Sequence, residues 1–247
     1  MKEKNDVLFG FHSVYEALRA QKRRIYKILI SKKRSLQRTK KIESYAVKRN
    51  IKIELADPEL LDRMTGFSNH QGLVATTSFF PVKKATDVIT SLKEKKGPCF
   101  ILIMENIEDP HNLGALIRTA LCSGVDYILI PKDRSAGPSS AVSRSSAGAM
   151  EHADIYMITN TTSILRTLKE KGVWVSGLDG NGDTSLFHAD LTGNIALVIG
   201  GEHKGIRPLV KKECDFLISI PNKGNINSLN ASVAGGVAMY EALRQRE

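Results

Sequence analysis

The sequence is short of cysteine, of aromatic rings and of long apolar runs, and each shortage removes a class of protein. Its three cysteines, Cys99, Cys122 and Cys214, form an odd, scattered set with no CxxC spacing, so neither a disulfide framework nor a metal cluster is expected. The longest apolar stretches, such as Cys99–Met104 and Ile195–Ile199, fall far short of the roughly 18 residues that a membrane span requires. The opening Met-Lys-Glu-Lys-Asn-Asp carries both signs of charge and leads into no secretory apolar stretch; the chain reads as cytoplasmic. Near the N-terminus only Phe9, Phe11, Tyr15, Tyr26 and Tyr45 offer rings, which counts against a platform that binds by stacking. There is no internal repeat and no GxGxxG after the first strand of a parallel unit, which counts against a dinucleotide site.

What the sequence does have is ordinary globular composition over 247 residues, 42% hydrophobic and 25% charged, enough for one large or two modest domains. It also has an excess of positive charge, +10 overall, and the excess is polar along the chain. Residues 1–96 carry 22 Lys/Arg against 10 Asp/Glu, net +12, and residues 97–247 carry 14 against 16, net −2. Localised basicity of this kind is an electrostatic footprint for a polyanion, because each phosphate neutralised releases counterions. The bland alternative is a solvated helix surface.

Residues 1–80 alternate short helices and strands: helix over Phe11–Ala20 with Ser13 as a cap, strand Ile25–Ile30, helix Leu36–Asn50, strand Ile51–Leu55, helix Glu59–Thr65 behind Asp57-Pro58, and strand Gly72–Thr77. This predicts a small, parallel-leaning sheet covered by helices. Residues 81–97, with five lysines and little apolar content, read as a linker. Residues 98–247 alternate more regularly, with strands at Cys99–Met104, Tyr127–Ile130, Ile155–Ile158, Val173–Ser176, Ile195–Ile199 and Phe216–Ile220, and helices at Asn112–Ser123, Ser163–Lys171 and Asn230–Arg244. Such alternation predicts an open, mostly parallel α/β sheet, with ligands at the carboxyl ends of its strands.

Three polar loops fall at those strand ends. Glu105–Gly114 runs into the first helix of this part, where Asn112 is placed to cap and Arg118 lies off the apolar stripe of Leu113, Leu116, Ile117, Ala120 and Leu121. Gly200-Gly201-Glu202-His203-Lys204-Gly205 follows a buried strand, where glycines let backbone amides approach a ligand and a lone acid can hold a hydroxyl or amine. Pro221–Ser232 feeds a helix rich in small residues, with Ser228 or Asn230 as its cap. Taken singly, each loop is explained by capping or a tight turn. Three polar loops at three strand ends point to one shared pocket.

The loops resemble the motifs of the SPOUT superfamily, specifically the SpoU/TrmH RNA 2′-O-methyltransferases. The matching segments are Asn112–Arg118 (NLGALIR), Gly200–Gly205 (GGEHKG) and Ile220–Ser232 (IPNKGNINSLNAS). Phe9–Val14 with Glu16–Leu18, and His70–Gly72, look like the small ribosomal-protein-like substrate-binding domain of the members that methylate a 23S rRNA guanosine (the RlmB-like group). The resemblance implies a catalytic domain whose C-terminal part is tied in a trefoil knot, a homodimer with its site near the subunit interface, and S-adenosylmethionine bound bent between the knot loops. It assigns Gly200, Gly201, Ile220 and Leu229 to the cofactor, with Leu178 flanking the adenine. It assigns Asn112, Arg118, Glu202, Ser228 and Asn230 to substrate and catalysis. A guanidinium, with a pKa above about 12, suits Arg118 to holding phosphate and stabilising a developing alkoxide rather than to taking a proton. His111, beside Asn112, is a versatile acid/base for which geometry has to decide.

The implied activity is methyl transfer to a ribose 2′-hydroxyl, of an rRNA guanosine first and of a tRNA as the alternative. A non-catalytic RNA-binding protein needs only the basic N-terminal part, and the intact polar set argues against it. A conventional Rossmann-type enzyme requires a glycine loop after the first strand of the parallel unit, where Glu105–Gly114 is acidic instead.

Overall fold

The computed structural model describes residues 5–33, 36–202, 204–224 and 228–247. His203 of the second motif and Asn225, Ile226 and Asn227 of the third lie outside the described residues. In chain order the elements are β1 (Asp6–Phe9), α1 (Phe11–Ala20), β2 (Ile25–Ser31), α2 (Leu36–Val47), β3 (Lys52–Ala56), α3 (Pro58–Met64) and β4 (Leu73–Thr77), then β5 (Lys83–Lys84), α4 (Ala85–Glu94), β6 (Phe100–Glu105), α5 (Pro110–Cys122) and β7 (Tyr127–Pro131). There follow α6 (Ser140–Ser145), a 3₁₀ turn at Ala149–His152, β8 (Ile155–Ile158), α7 (Thr161–Glu170), β9 (Trp174–Leu178), β10 (Thr184–Ser185), β11 (Ile195–Gly200), α8 (Pro208–Lys211), β12 (Phe216–Ser219) and α9 (Ala231–Arg246). The chain forms two compact units, residues 1–81 with 138–152, and residues 82–137 with 153–247.

The first unit is a four-stranded sheet in the order β1-β4-β2-β3. Its apolar helix face, Val14, Ala17 and Leu18, packs on Leu8, Ile28, Ile30, Leu73 and Ala75 from the strands. The expected parallel-leaning sheet is not what forms. β1 and β2 both pair antiparallel with β4, and only β2 with β3 runs parallel. β1 is a four-residue strand whose charged surroundings hide it in the sequence, and it takes the edge beside β4. The α1 start also differs: Gly10, at φ 89°, makes the turn that a side chain at that φ would strain, while Ser13 is buried in the first turn. Residues 138–152 carry no strong periodicity, yet they fold onto α1. Gly148 (φ +83°) sits so close that a Cβ there would be 2.6 Å from the His12 carbonyl oxygen. Arg23 and Glu151, both buried, form an ion pair at 2.9 Å; Arg23 also reaches Asp6, and Ser143 donates to Glu151 at 2.6 Å.

The second unit is an eight-stranded, wholly parallel sheet in the order β10-β12-β9-β11-β6-β7-β8-β5. Every residue of β6 and β7 is buried, as continuous apolar strands covered on both faces should be. Residues 81–97, expected to link, are ordered in large part: Lys83 and Lys84 pair with β8, and Val88 of α4 is buried in the core. Two of the lysines there serve neighbouring acids, Lys83 with Asp154 at 2.8 Å and Lys95 with Asp126 at 2.7 Å. The basic excess is therefore narrower than the first 96 residues. The first unit has 18 Lys/Arg against 9 Asp/Glu and the second 18 against 17.

Two features of this sheet position the site. Strands β6, β7 and β8 progress in one direction, whereas β9 lies beyond β11 on the other side, so the strand order reverses between β6 and β11. At such a reversal the crossovers diverge and leave a crevice at the carboxyl ends. Helices α5 and α9 pack tightly beneath it; a Cβ on Gly235 of α9 would lie 2.4 Å from Leu116 and 2.6 Å from Ile199. Among the described residues no helix is long and apolar enough to cross a membrane.

Candidate active site

The loop after β6 opens α5 in an unexpected way. Asp109 is the N-cap, its carboxylate accepting from the His111 backbone N–H at 3.0 Å, with Pro110 at the first helical position. Proline there fits because that N–H has no helical partner. Asn112, expected as the cap, is thus a turn further in, and its side-chain amide is free for other work.

The second loop folds back on itself. The Gly205 N–H donates to the Gly201 carbonyl at 2.8 Å. A Cβ at Gly200 would lie 2.2 Å from the Gly205 carbonyl carbon, and one at Gly201 would lie 2.1 Å from the Asn106 carbonyl oxygen. These contacts are with backbone, which cannot yield: Gly200 is required by the second loop's fold onto itself, and Gly201 by the close approach of the first and second loops.

The third loop delivers Asn230 as the N-cap of α9. Its Oδ1 accepts from Ser232 N at 2.9 Å and Val233 N at 3.3 Å, which leaves Nδ2 to face the other loops. Nδ2 donates to Asn112 Oδ1 at 3.1 Å and to Glu202 Oε1, and Asn112 Nδ2 donates to the same Glu202 oxygen at 2.6 Å. One residue from each loop thus meets in a closed triangle. Two amides hold one carboxylate oxygen, and Glu202 Oε2 has no protein partner among the described residues. Glu202 is exposed and Asn112 is buried, so the triangle presents a fixed anion at the crevice mouth.

Beside the triangle is a cleft walled by Leu178, Gly200, Gly201, Ile220, Ser228 and Leu229, with Glu202 at its rim. Every residue expected to bind the cofactor lines this one cleft. The wall also contains Asp179, Gly180 and Asn222, which sequence reasoning missed, but no lysine or arginine among the described residues. For Asp179 burial opposes ionisation, yet hydrogen bonds from Lys211 and the Asn181 backbone, with the charge of Lys211, hold its carboxyl below the ordinary range. Lys211 pairs with Asp179, so Glu202 is the carboxylate left to meet a cation, and the glycine backbone and branched apolar side chains suit a ligand with a flat apolar ring and polar edges.

Two expected residues stand apart. Arg118 is exposed on α5, lines neither this cleft nor the cavity beside it, and makes no ion pair among the described residues. His111 is exposed and lines neither hollow, so this geometry gives it no chemical role. Two polar residues that the sequence did not single out are drawn in instead. Glu105, the last residue of β6 and fully buried, accepts from Thr161 at 2.6 Å and pairs with Arg207. A charged residue closing an otherwise apolar strand was the available signal.

Comparison with known proteins gives the family. Residues 99–240 match the SpoU rRNA Methylase family, and residues 7–82 match the description "RNA 2′-O ribose methyltransferase substrate binding". The 23S rRNA (guanosine-2′-O-)-methyltransferase RlmB of Shewanella oneidensis is 37% identical over 244 residues, 99% of each chain. A Bacillus subtilis relative, YacO, named only to the level of a TrmH family tRNA/rRNA methyltransferase, is 38% identical over 247 residues, covering 100% of this chain and 98% of its own. The crystal structure of the SpoU methyltransferase AviRb from Streptomyces viridochromogenes, in complex with AdoMet, superposes with a TM-score of 0.81 at 22% identity, covering 98% of this chain and 90% of that one. The three loops that converge at the strand reversal are the segments on which the family resemblance rests, and the match runs the length of the catalytic unit: the chain belongs to the SpoU rRNA methylase family.

Proposed function

We propose that the chain is an S-adenosylmethionine-dependent RNA methyltransferase that methylates the ribose 2′-hydroxyl of a guanosine in 23S rRNA. The observation that carries this reading is the joining of Asn112, Glu202 and Asn230 beside a cleft free of lysine and arginine. The cleft fits the cofactor by the chemistry of its wall: backbone of Gly200 and Gly201 for polar edges, Leu178, Ile220 and Leu229 for the adenine, and the Glu202 carboxylate for a cationic molecule. When bound, S-adenosylmethionine supplies an electrophilic methyl on a sulfonium with a neutral leaving group.

The chain's own residues then have separable tasks. Glu202, held by two amides, keeps one oxygen for a substrate hydroxyl or for an incoming guanidinium. Asn112 and Asn230 fix that carboxylate, and Ser228 on the cleft wall faces the same space. Arg118 is assigned to phosphate binding and alkoxide stabilisation; because it lines neither the cleft nor the adjoining cavity, this role is assigned to the homodimer, with the site near the subunit interface. The trefoil knot belongs to the same reading, supported by the family match of residues 99–240. Residues 1–80 are assigned to rRNA, supported by their basic excess and by the family description of residues 7–82. An rRNA substrate places the enzyme in the cytoplasm.

The test is transfer of labelled methyl from S-adenosylmethionine to unmethylated 23S rRNA, with the product mapped by resistance to alkaline cleavage. A single 2′-O-methylguanosine is expected. Label in tRNA with rRNA unmodified overturns the substrate, and binding of RNA without cofactor binding overturns the enzyme reading. Arg118→Ala is expected to abolish transfer while leaving cofactor affinity intact; near-normal turnover removes Arg118 from catalysis.

A further inference from the structure

A second cavity, of about 670 Å³, adjoins the Asn112–Glu202–Asn230 triangle. Asn112 and Glu202 form one part of its wall, and Arg134, Lys204 and Arg207 another. The two arginines also line a neighbouring hollow with Pro131, Asp133, Thr159 and Thr161, at the carboxyl ends of β7 and β8. The hollows meet at Arg134 and Arg207, giving one trough that leads from the triangle across the ends of β6, β7 and β8.

Arg207 is held in place from below. Its Nε donates to Glu105, a carboxylate with no solvent exposure that also accepts from Thr161 at 2.6 Å. The guanidinium is anchored through one edge, while its side chain remains 39% exposed. Its terminal nitrogens have no partner among the described residues. A charge buried this fully is costly unless it is paired and hydrogen-bonded; Arg207 and Thr161 supply both, and the pairing in turn fixes the arginine. Arg134 is exposed, with a left-handed backbone (φ 57°) and no ion pair among the described residues. Four acids also line the trough: Asp109, which caps α5, Glu202, which the two asparagines hold by one oxygen, and Glu108 and Asp133.

We propose that this trough binds the phosphodiester backbone of the RNA strand flanking the target nucleotide, with Arg134 and Arg207 on phosphate and Glu105 as the positioning residue for Arg207. The inference rests on the methyltransferase reading. Guanidinium groups match phosphate oxygens in a fork, and an anchored one loses less freedom on binding than a free side chain. The same chemistry would recognise the carboxylate of the cofactor, and the experiment separates the two anions.

Full-length wild type, Arg134→Ala, Arg207→Lys and Glu105→Gln are compared for affinity and salt dependence toward unmethylated 23S rRNA, for KM and kcat, and for cofactor affinity. Arg207→Lys and Glu105→Gln avoid leaving Glu105 buried beside an alanine, and Arg134, being exposed, can be removed without disturbing the core. Arg134→Ala is expected to weaken rRNA binding about 10-fold and to reduce the slope of log affinity against log salt by about 0.7–0.9, the value of one phosphate contact. Glu105→Gln and Arg207→Lys should raise KM for rRNA more than they lower kcat. In all three variants cofactor affinity should stay at the wild-type value. Unchanged rRNA affinity and slope in Arg134→Ala overturn the proposal, as does weakened cofactor binding, which reassigns the arginines to the cofactor carboxylate. The binding measurement needs no turnover, so a wild type that fails to methylate RNA refutes the methyltransferase reading without deciding the trough.

Discussion

Asn230 does two jobs with opposite ends of one amide, and substitutions can separate them. Its Oδ1 caps α9 through Ser232 and Val233, and its Nδ2 holds Glu202 and Asn112. Removing a side-chain cap costs about 1 kcal/mol. Losing the amide bonds to an exposed carboxylate costs a further ~0.5–1 kcal/mol. For a protein of this size, about 2–4 °C of Tm accompanies each kcal/mol, so Asn230→Ala should lower the melting temperature of the second unit by roughly 3–8 °C. Asn230→Ser keeps a capping oxygen and deletes the arm to Glu202; its Tm should fall by only ~1–4 °C. Methyl transfer should fall about 10²-fold, because Glu202 is no longer fixed. Asn230→Asp also caps but sets a second carboxylate against Glu202, and should be as inactive as the serine variant. The assays are thermal unfolding by circular dichroism and single-turnover transfer of labelled methyl to rRNA. An Asn230→Ser enzyme with wild-type turnover would falsify the idea that the triangle is part of the working site. An Asn230→Ala protein with an unchanged Tm would show that α9 does not depend on this cap.

Other outcomes follow from the same geometry. Gly201→Ala drives a Cβ to 2.1 Å from the Asn106 carbonyl oxygen; cofactor affinity should drop at least ~10-fold, with an overpacking cost of about 1–3 kcal/mol, and a titration showing wild-type affinity contradicts this. Arg23→Met leaves the buried Glu151 carboxylate without its cation and should destabilise the first unit by about 3–5 kcal/mol, with Glu151→Gln as the rescuing second change. Burial raises the Glu151 pKa, and Arg23 and Ser143 only partly oppose it. The folded state therefore holds that proton more tightly, and the associated stability is present below the unfolded carboxyl pKa and is lost as pH rises through the folded one. Removing Arg23 widens that window, so denaturant midpoints should fall more between pH 5 and pH 8 in Arg23→Met than in wild type; equal falls refute the account. Thiol titration at pH 8 should find Cys122, which is exposed, reacting first, because burial pushes the Cys214 thiol up to about 12 and also raises Cys99; rapid reaction of a second thiol in the native protein contradicts this.

The sequence by itself determined most of the second unit. Apolar runs such as Cys99–Met104 and Tyr127–Ile130 are of strand length and alternate with helical stripes, so they read as strands buried on both faces, and the stripe of α5 as a packing face, because local pattern and burial point the same way. Polar residues at three strand ends of one parallel sheet also marked the loops proposed to carry the site, through their number and placement rather than through any one of them. What tertiary structure decided lay in contacts between residues far apart in the chain. The reversal of strand order between β6 and β11 brings Asn112 and Glu202, 90 positions apart, within hydrogen-bonding distance; no local pattern encodes a strand order. Asp109 took the cap that local chemistry allowed to Asn112, because Pro110 starts the helix earlier and frees Asn112 for Glu202. The antiparallel β1, the attachment of residues 138–152 to the first unit and the anchoring of Arg207 by Glu105 are likewise pairings across the chain. Their driving force, the cost of burying a strand edge or a charge unpaired, exists only once the two partners have met.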